Sequence, residues 1–215
     1  MNPTVPYLKV CGMAQSVNLT AVAALQPDFL GFIFYPKSSR YVGTQLNQAD
    51  LAALPAGIRK VGVFVNETVD KVLAQVAEFG LDLVQLHGQE TPTECARLQA
   101  AGVPVVKAFS VGEEFSFEVL QPYVDHVDYF LFDTKGMQPG GNGTTFDWNL
   151  LATYSLPVPY FLAGGLGLEE AEALRNLRLP GLFALDLNSR FETAPGVKDA
   201  ELLSQMFTSL RTCHF

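Results

Sequence analysis

The sequence predicts an α/β protein folded as one closed (β/α)8 barrel, a parallel eight-stranded sheet with helices outside it. Three observations carry that expectation. Eight short apolar runs rich in β-branched and aromatic residues recur along the chain, segments of helical periodicity separate most of them, and 215 residues suit the small end of such a barrel.

The runs are Tyr7–Val10, Phe29–Phe34, Lys60–Val65, Leu83–Leu86, Val105–Phe109, Tyr129–Phe132, Tyr160–Ala163 and Phe183–Leu187. Between them, 69–79 sets Val69, Val72, Leu73, Val76 and Phe79 on one helical face, and 200–210 does the same with Leu202, Leu203, Met206 and Leu210. Alternating strand and helix imply a parallel sheet, because parallel neighbours need a crossover and the helix supplies it. Eight such units favour a closed barrel over a doubly wound open sheet. No linker or low-complexity stretch interrupts the pattern, so residues 1–215 read as a single domain. The longest irregular stretch is 134–147, rich in glycine around Gly140, Gly141 and Gly143; its length makes it a candidate lid.

Composition narrows the function. A formal charge of −8 and a pI near 4.8, with no basic run, argue against a nucleic-acid partner, whose phosphates call for clustered Lys and Arg. Cys11, Cys95 and Cys213 are odd in number and lack metal-ligand spacing, which argues against a disulfide framework or a metal site and fits a reducing compartment. No apolar run reaches the roughly 20 residues of a membrane span, and the N-terminus lacks the pattern of a secretion signal. A soluble cytoplasmic protein is expected.

In a barrel the chemistry lies where strands end, so those positions are the candidates. The first strand runs into Cys11-Gly12, a thiol at the rim, although a lone cysteine is more often a small buried apolar residue. The loop after the second strand carries Lys37 and Arg40; Arg40 could grip a carboxylate with its planar fork or be a solvated charge. Gln85 and His87 follow the fourth strand, with His87 open to proton transfer, substrate contact or a structural role. Asp133 closes the sixth strand after four apolar residues and is a candidate acid or base. Gly164-Gly165 end the seventh strand just before a helix-like stretch from Leu168, and Asp186, Asn188 and Ser189 end the eighth; barrels often hold a phosphate between these loops.

Several of these segments, in order along nearly the whole chain, resemble the phosphoribosylanthranilate isomerase family. They are Lys9–Gly12, Asp28–Tyr41, Val61–Val65, Val84–Gly88, Gly140–Trp148 and Leu162–Leu166. The resemblance implies a cofactor-free Amadori rearrangement of a phosphorylated small molecule, N-(5-phosphoribosyl)anthranilate, to 1-(2-carboxyphenylamino)-1-deoxyribulose 5-phosphate in tryptophan biosynthesis. Carried over by motif, Cys11 is the general base and Asp133 the general acid. Arg40 takes the anthranilate carboxylate, Asp186 lies near the substrate nitrogen, and Gly164, Gly165, Asn188 and Ser189 take the phosphate; Gln85 and His87, from their place at the rim, are expected to contact substrate. A monomer or homodimer is expected. The chain departs from the family pattern at Ala14 and Val17-Asn18, where a Thr and an acidic pair are common, and at Arg190, where a glycine is.

The assigned roles make physical demands. As an acid near pH 7, Asp133 would need its pKa raised from about 3.9 to near 7, which burial and a neighbouring anion such as Asp186 could supply. Cys11 must lose a proton, and strand alternation puts Lys9 on its side of the sheet to help. Two other readings compete. A related phosphate-binding barrel, such as indole-glycerol-phosphate synthase or the histidine-pathway sugar isomerase, is one, and Lys107 of the fifth strand keeps the synthase open. A non-catalytic barrel that binds a phosphorylated metabolite is the other, but it has no use for a thiol at a strand end.

Overall fold

The computed structural model describes residues 5–43, 46–112, 114–134 and 147–211. Eight parallel strands close into a barrel in sequence order, β1 (Tyr7–Cys11), β2 (Phe29–Ile33), β3 (Arg59–Phe64), β4 (Leu83–Leu86), β5 (Val105–Val111), β6 (Tyr129–Thr134), β7 (Tyr160–Leu162) and β8 (Leu182–Leu187), and β8 pairs back onto β1. Every predicted strand is present, with ends within two residues of those read from the sequence. The glycine-rich stretch expected to act as a lid, and Cys213, lie outside the described residues.

Helices α1 (Ser16–Ala23), α2 (Gln48–Ala52), α3 (Val69–Phe79), α4 (Pro92–Ala100), α5 (Ala171–Asn176) and α6 (Ala200–Arg211) cover the barrel. Local sequence sets their ends: α4 starts on a Thr91–Glu94 capping box with Pro92 in its first turn, and α3 stops at Gly80, which takes the left-handed conformation. After β5 the crossover is a 3-10 stretch, Phe117–His126, rather than an α-helix. Pro122 sits inside it and cannot supply the N–H that an α-helical turn there would use. Among the described residues no helix is long and apolar enough to cross a membrane.

Alternation along each strand builds two cores. Leu8, Val10, Leu30, Phe32, Val84, Leu86, Phe130 and Phe132 pack against the helices. Phe29, Val61, Leu83, Val106, Leu131, Phe161 and Ala184 instead fill the barrel interior, with Tyr129 and Phe183 packed on them. The rings of Tyr7, Phe29, Tyr129, Phe161 and Phe183 touch one another with centroids 4.6 to 6.3 Å apart, plugging the end where the strands begin. Each fully buried aromatic ring contributes roughly 1.5–3 kcal/mol. Two residues further along the same inward faces, the interior turns polar.

After β8 the chain makes a short antiparallel hairpin, β9 (Glu192–Ala194) with β10 (Val197–Lys198), before α6 begins. The hairpin leans over the end of β1: a Cβ on Gly196 would touch the Ala14 side chain, and Asn18 brackets Lys198 by accepting from its N–H and donating to its carbonyl.

Candidate active site

At the carboxyl end of the barrel, inward-facing side chains from four strands form a continuous polar row. Lys9 on β1 donates through Nζ to Asp186 Oδ2 on β8 (2.7 Å) and to Gln85 Oε1 on β4 (2.7 Å). Gln85 Nε2 lies 3.0 Å from His87 Nδ1, and His87 Nε2 lies 3.5 Å from Asp133 Oδ2 on β6. The row settles the imidazole tautomer. An ammonium only donates, so it fixes the Gln85 carbonyl toward itself and leaves the amide N–H to donate to Nδ1. A neutral His87 therefore carries its proton on Nε2, facing Asp133.

Cys11 is buried, and Gly31 on β2 leaves the space its thiol fills, since a Cβ there would come within 2.7 Å of Sγ. Burial pushes the thiol above its ordinary pKa; Lys9 and, less strongly, Lys198 oppose the rise, and Asp186 adds to it. Lys9 thus stands where strand alternation predicts and acts in the expected direction, but burial outweighs it. Burial works against the Lys9 ammonium as well, yet Asp186 and Cys11 more than compensate and raise its pKa. Asp186 is also raised, by burial first, with Lys9 opposing and Asp133 adding. With two carbonyl or carboxylate oxygens accepting from Lys9, the charged ammonium is the form the geometry fits. Asp186 Oδ1 is buried with no hydrogen-bond partner among the described residues, an acceptor that a ligand N–H would satisfy.

Asp133 faces this row, and its side chain is partly buried, 33 % exposed.

Arg40 comes to the same mouth from the loop after β2, which folds back so that Tyr41 bridges to Ile33. It does not stand free. Its Nε and Nη2 form a bidentate pair with Glu192 (2.7 to 3.0 Å). Lys198 Nζ also reaches Glu192 Oε1 (2.6 Å) and donates to Asn188 Oδ1 (2.7 Å), so the Asn188 side chain is already engaged. Gly12, with φ of +81°, is where these groups converge: a Cβ would come within 2.9 Å of both Arg40 Cδ and Asn188 Oδ1. The space beside the thiol is therefore partly filled by the Arg40 and Asn188 side chains. Glu192 and Lys198 were not singled out from the sequence. Their signal was the Pro195-Gly196 pair between short alternating segments, which marks a hairpin.

Gly164 and Gly165 follow β7 at φ of +93° and +68°. A Cβ on Gly164 would collide with Thr134, so only glycine brings this loop so close to the end of β6. The next helical turn, Leu168–Glu170, starts with Gly167 N–H donating to Glu170. Ser189 is exposed, and Arg190 pairs with Glu169 (3.2 Å), linking the loops after β7 and β8. Lys107 is spent elsewhere: its ammonium pairs with Glu90 (3.1 Å) and donates to the carbonyls of Leu86, Gly88 and Ala108. Among the described residues no cluster of three or more His, Cys, Asp and Glu side chains could hold a metal ion.

A closed parallel barrel with its acid–base side chains collected at the carboxyl ends of the strands is a (β/α)8-barrel enzyme. The sequence model described as N-(5'phosphoribosyl)anthranilate (PRA) isomerase matches residues 8–209, and the chain belongs to that family. It is 42% identical over 206 residues to the N-(5'-phosphoribosyl)anthranilate isomerase of Parabacteroides distasonis, covering 94% of this chain and 92% of the relative. The corresponding protein of Paracoccus denitrificans is also 42% identical, over 90% of this chain and 92% of its own. Among solved structures, phosphoribosyl anthranilate isomerase from Thermotoga maritima superposes with a TM-score of 0.85 at 33% identity, covering 96% of this chain and 98% of that one. An isomerase in complex with reduced 1-(o-carboxyphenylamino)-1-deoxyribulose 5-phosphate superposes at 0.82 with 30% identity, over 96% of this chain and 98% of that one.

Proposed function

We propose that this chain carries out its family's isomerisation, the Amadori rearrangement of N-(5-phosphoribosyl)anthranilate in tryptophan biosynthesis, with Cys11 as general base and Asp133 as general acid. Asp133 protonates the ribose ring oxygen as the anomeric C–O bond breaks, giving a protonated Schiff base. Cys11, as thiolate, then takes the C2′ proton to give the enolamine. Tautomerisation of that enolamine, with a proton delivered to C1′ and one lost from the C2′ hydroxyl, completes the aminoketose.

The observation that carries this reading is the row Lys9–Gln85–His87–Asp133, which runs from beside the thiol to the carboxyl across the barrel mouth. His87 Nε2–H stabilises the carboxylate that Asp133 becomes after donating its proton. Lys9 and Lys198 stabilise the thiolate against burial. The buried, unpartnered Asp186 Oδ1 suits the substrate's anilino N–H. Arg40 takes the aryl carboxylate, and the phosphate lies between Gly164-Gly165 and Asn188-Ser189, where backbone N–H groups at a helical start favour an anion. Substrate filling the mouth completes the exclusion of water around Asp133. The protein is further proposed to act without a cofactor, as a cytoplasmic monomer or homodimer. The engagement of Lys107 with Glu90 and three carbonyls counts against the synthase alternative, which needs a free strand-end lysine.

The test is to mix the protein with freshly made phosphoribosylanthranilate and follow the loss of its fluorescence, with the product identified by chromatography. Catalysed conversion to the aminoketose is expected. Tight product-analogue binding without turnover would mean a binding protein instead.

A further inference from the structure

The Glu192 carboxylate sits at the centre of a buried cluster from which the acid–base chemistry above draws only the charge of Lys198. Oε1 accepts from Lys198 Nζ (2.6 Å), Arg40 Nε (2.9 Å) and the Gly196 N–H (3.1 Å), while Oε2 accepts from Arg40 Nη2 (2.7 Å) and Nε (3.0 Å). The Lys198 side chain is fully buried and that of Glu192 nearly so. Burial lowers the Lys198 pKa with Glu192 opposing, whereas for Glu192 the two cations prevail over burial and hold it low. Lys198 Nζ has three acceptors, Glu192 Oε1, Asn188 Oδ1 and the Asn188 carbonyl (3.3 Å), and only an ammonium has three hydrogens to meet them.

Buried ion pairs rarely repay their desolvation in stability, so geometry is the better account of why one sits here. A guanidinium presents two forks. Glu192 occupies the Nε/Nη2 fork, and no described residue accepts from Nη1, leaving the end-on Nη1/Nη2 fork open to a second carboxylate. One carboxylate alone would neutralise Arg40. With Lys198 present, two cations share one anion, and the cluster keeps a net positive charge for an incoming one.

We propose that Glu192 and Lys198 are positioning residues for the substrate's aryl carboxylate. Glu192 holds Arg40 by one fork so that the other receives the carboxylate, and Lys198 keeps the cluster cationic while tying it to Asn188 on the phosphate side. The inference rests on the role of Arg40 given under the proposed function. The β9–β10 hairpin is then part of substrate selection, although it carries neither of the residues assigned as acid and base.

The experiment compares phosphoribosylanthranilate with the corresponding aniline adduct, which lacks the carboxylate, across the native protein and the variants Glu192→Gln, Lys198→Met, Arg40→Ala and the Arg40→Ala/Glu192→Gln double. Glu192→Gln is expected to raise KM for the carboxylated substrate about tenfold with kcat changed by less than about threefold, and to spare kcat/KM for the aniline adduct. Lys198→Met, which also removes a cation that lowers the Cys11 pKa, is expected to lower kcat on both substrates and to add a weaker rise in KM on the carboxylated one alone. The double variant should lose no more than Arg40→Ala alone, because both act through one contact. Equal losses on both substrates for Glu192→Gln, or additive losses in the double variant, would overturn the proposal. If Arg40→Ala discriminates between the substrates while Glu192→Gln does not, only this inference falls. If Arg40→Ala fails to discriminate, the reading of Arg40 falls with it. Should circular dichroism show Glu192→Gln unfolded, Glu192→Asp, which keeps the charge with a shorter reach, is expected to give an intermediate KM on the carboxylated substrate alone, and equal loss on both would again contradict the proposal.

Discussion

The two ends of the barrel interior are made by the same strands, yet one is a plug of aromatic rings and the other a ring of charges. On β1 the inward face reads Tyr7, Lys9, Cys11; on β4 it runs from Leu83 to Gln85 and on to His87; on β6 it reads Tyr129, Leu131, Asp133. Each strand changes from apolar to chemical within four residues, about 13 Å of rise. The apolar end needs no partners and supplies cohesion. At the other end, Lys9 and Asp186 are buried against each other, the ammonium donating to the Asp186 carboxyl at 2.7 Å. One end stabilises the fold, and the other spends part of that stability holding side chains where water would otherwise solvate them.

The contrast can be broken from either end. Asp133→Asn keeps the shape of the mouth and removes its acid, so kcat is expected to fall by about 10²–10⁴ while thermal stability changes little, because the side chain is partly exposed. A loss of stability with turnover intact would make Asp133 a structural residue. Phe161→Ala does the reverse: it opens a cavity among Phe29, Tyr129 and Phe183, and denaturant titration should show a loss of about 3–5 kcal/mol. Turnover per folded molecule should stay within a few-fold, and a large fall in the folded enzyme would show that the plug and the mouth are not separable.

Lys9→Met sharpens the comparison by putting an apolar chain of similar length into the charged end. Lys9 lowers the Cys11 pKa in opposition to burial, so its loss should raise that pKa further. Less thiolate then exists at any pH below it, and the alkaline rise of kcat/KM should move to higher pH, costing about tenfold in rate per unit moved. An unchanged pH profile would remove Lys9 from the account of thiol activation.

Much of this arrangement was legible because barrel strands advertise themselves twice, in their apolar runs and in the polar residues that end them. Cys11, Gln85, His87, Asp133 and Asp186 all lie at or just past strand ends on inward faces, where period-two alternation and the barrel rule together place them. The partners were harder to read. Arg40 looked like a free cation because its counter-ion is 152 residues away, on a hairpin that follows the last strand. How open the end of β6 stands could not be read from the four apolar residues before Asp133, which say only how the strand packs. The 3-10 crossover after β5 was marked by Pro122, while the role of Gly31 in seating the thiol depends on a neighbouring strand and leaves no local trace.

Single-turnover rates of Cys11→Ser on phosphoribosylanthranilate test the central claim most directly, because the change swaps one atom and leaves the remaining contacts in place. A fall of about 10²-fold or more with KM within a few-fold of native is predicted for loss of the proton-abstracting group. A rate within about threefold of the native protein would contradict it and move the base elsewhere in the barrel mouth.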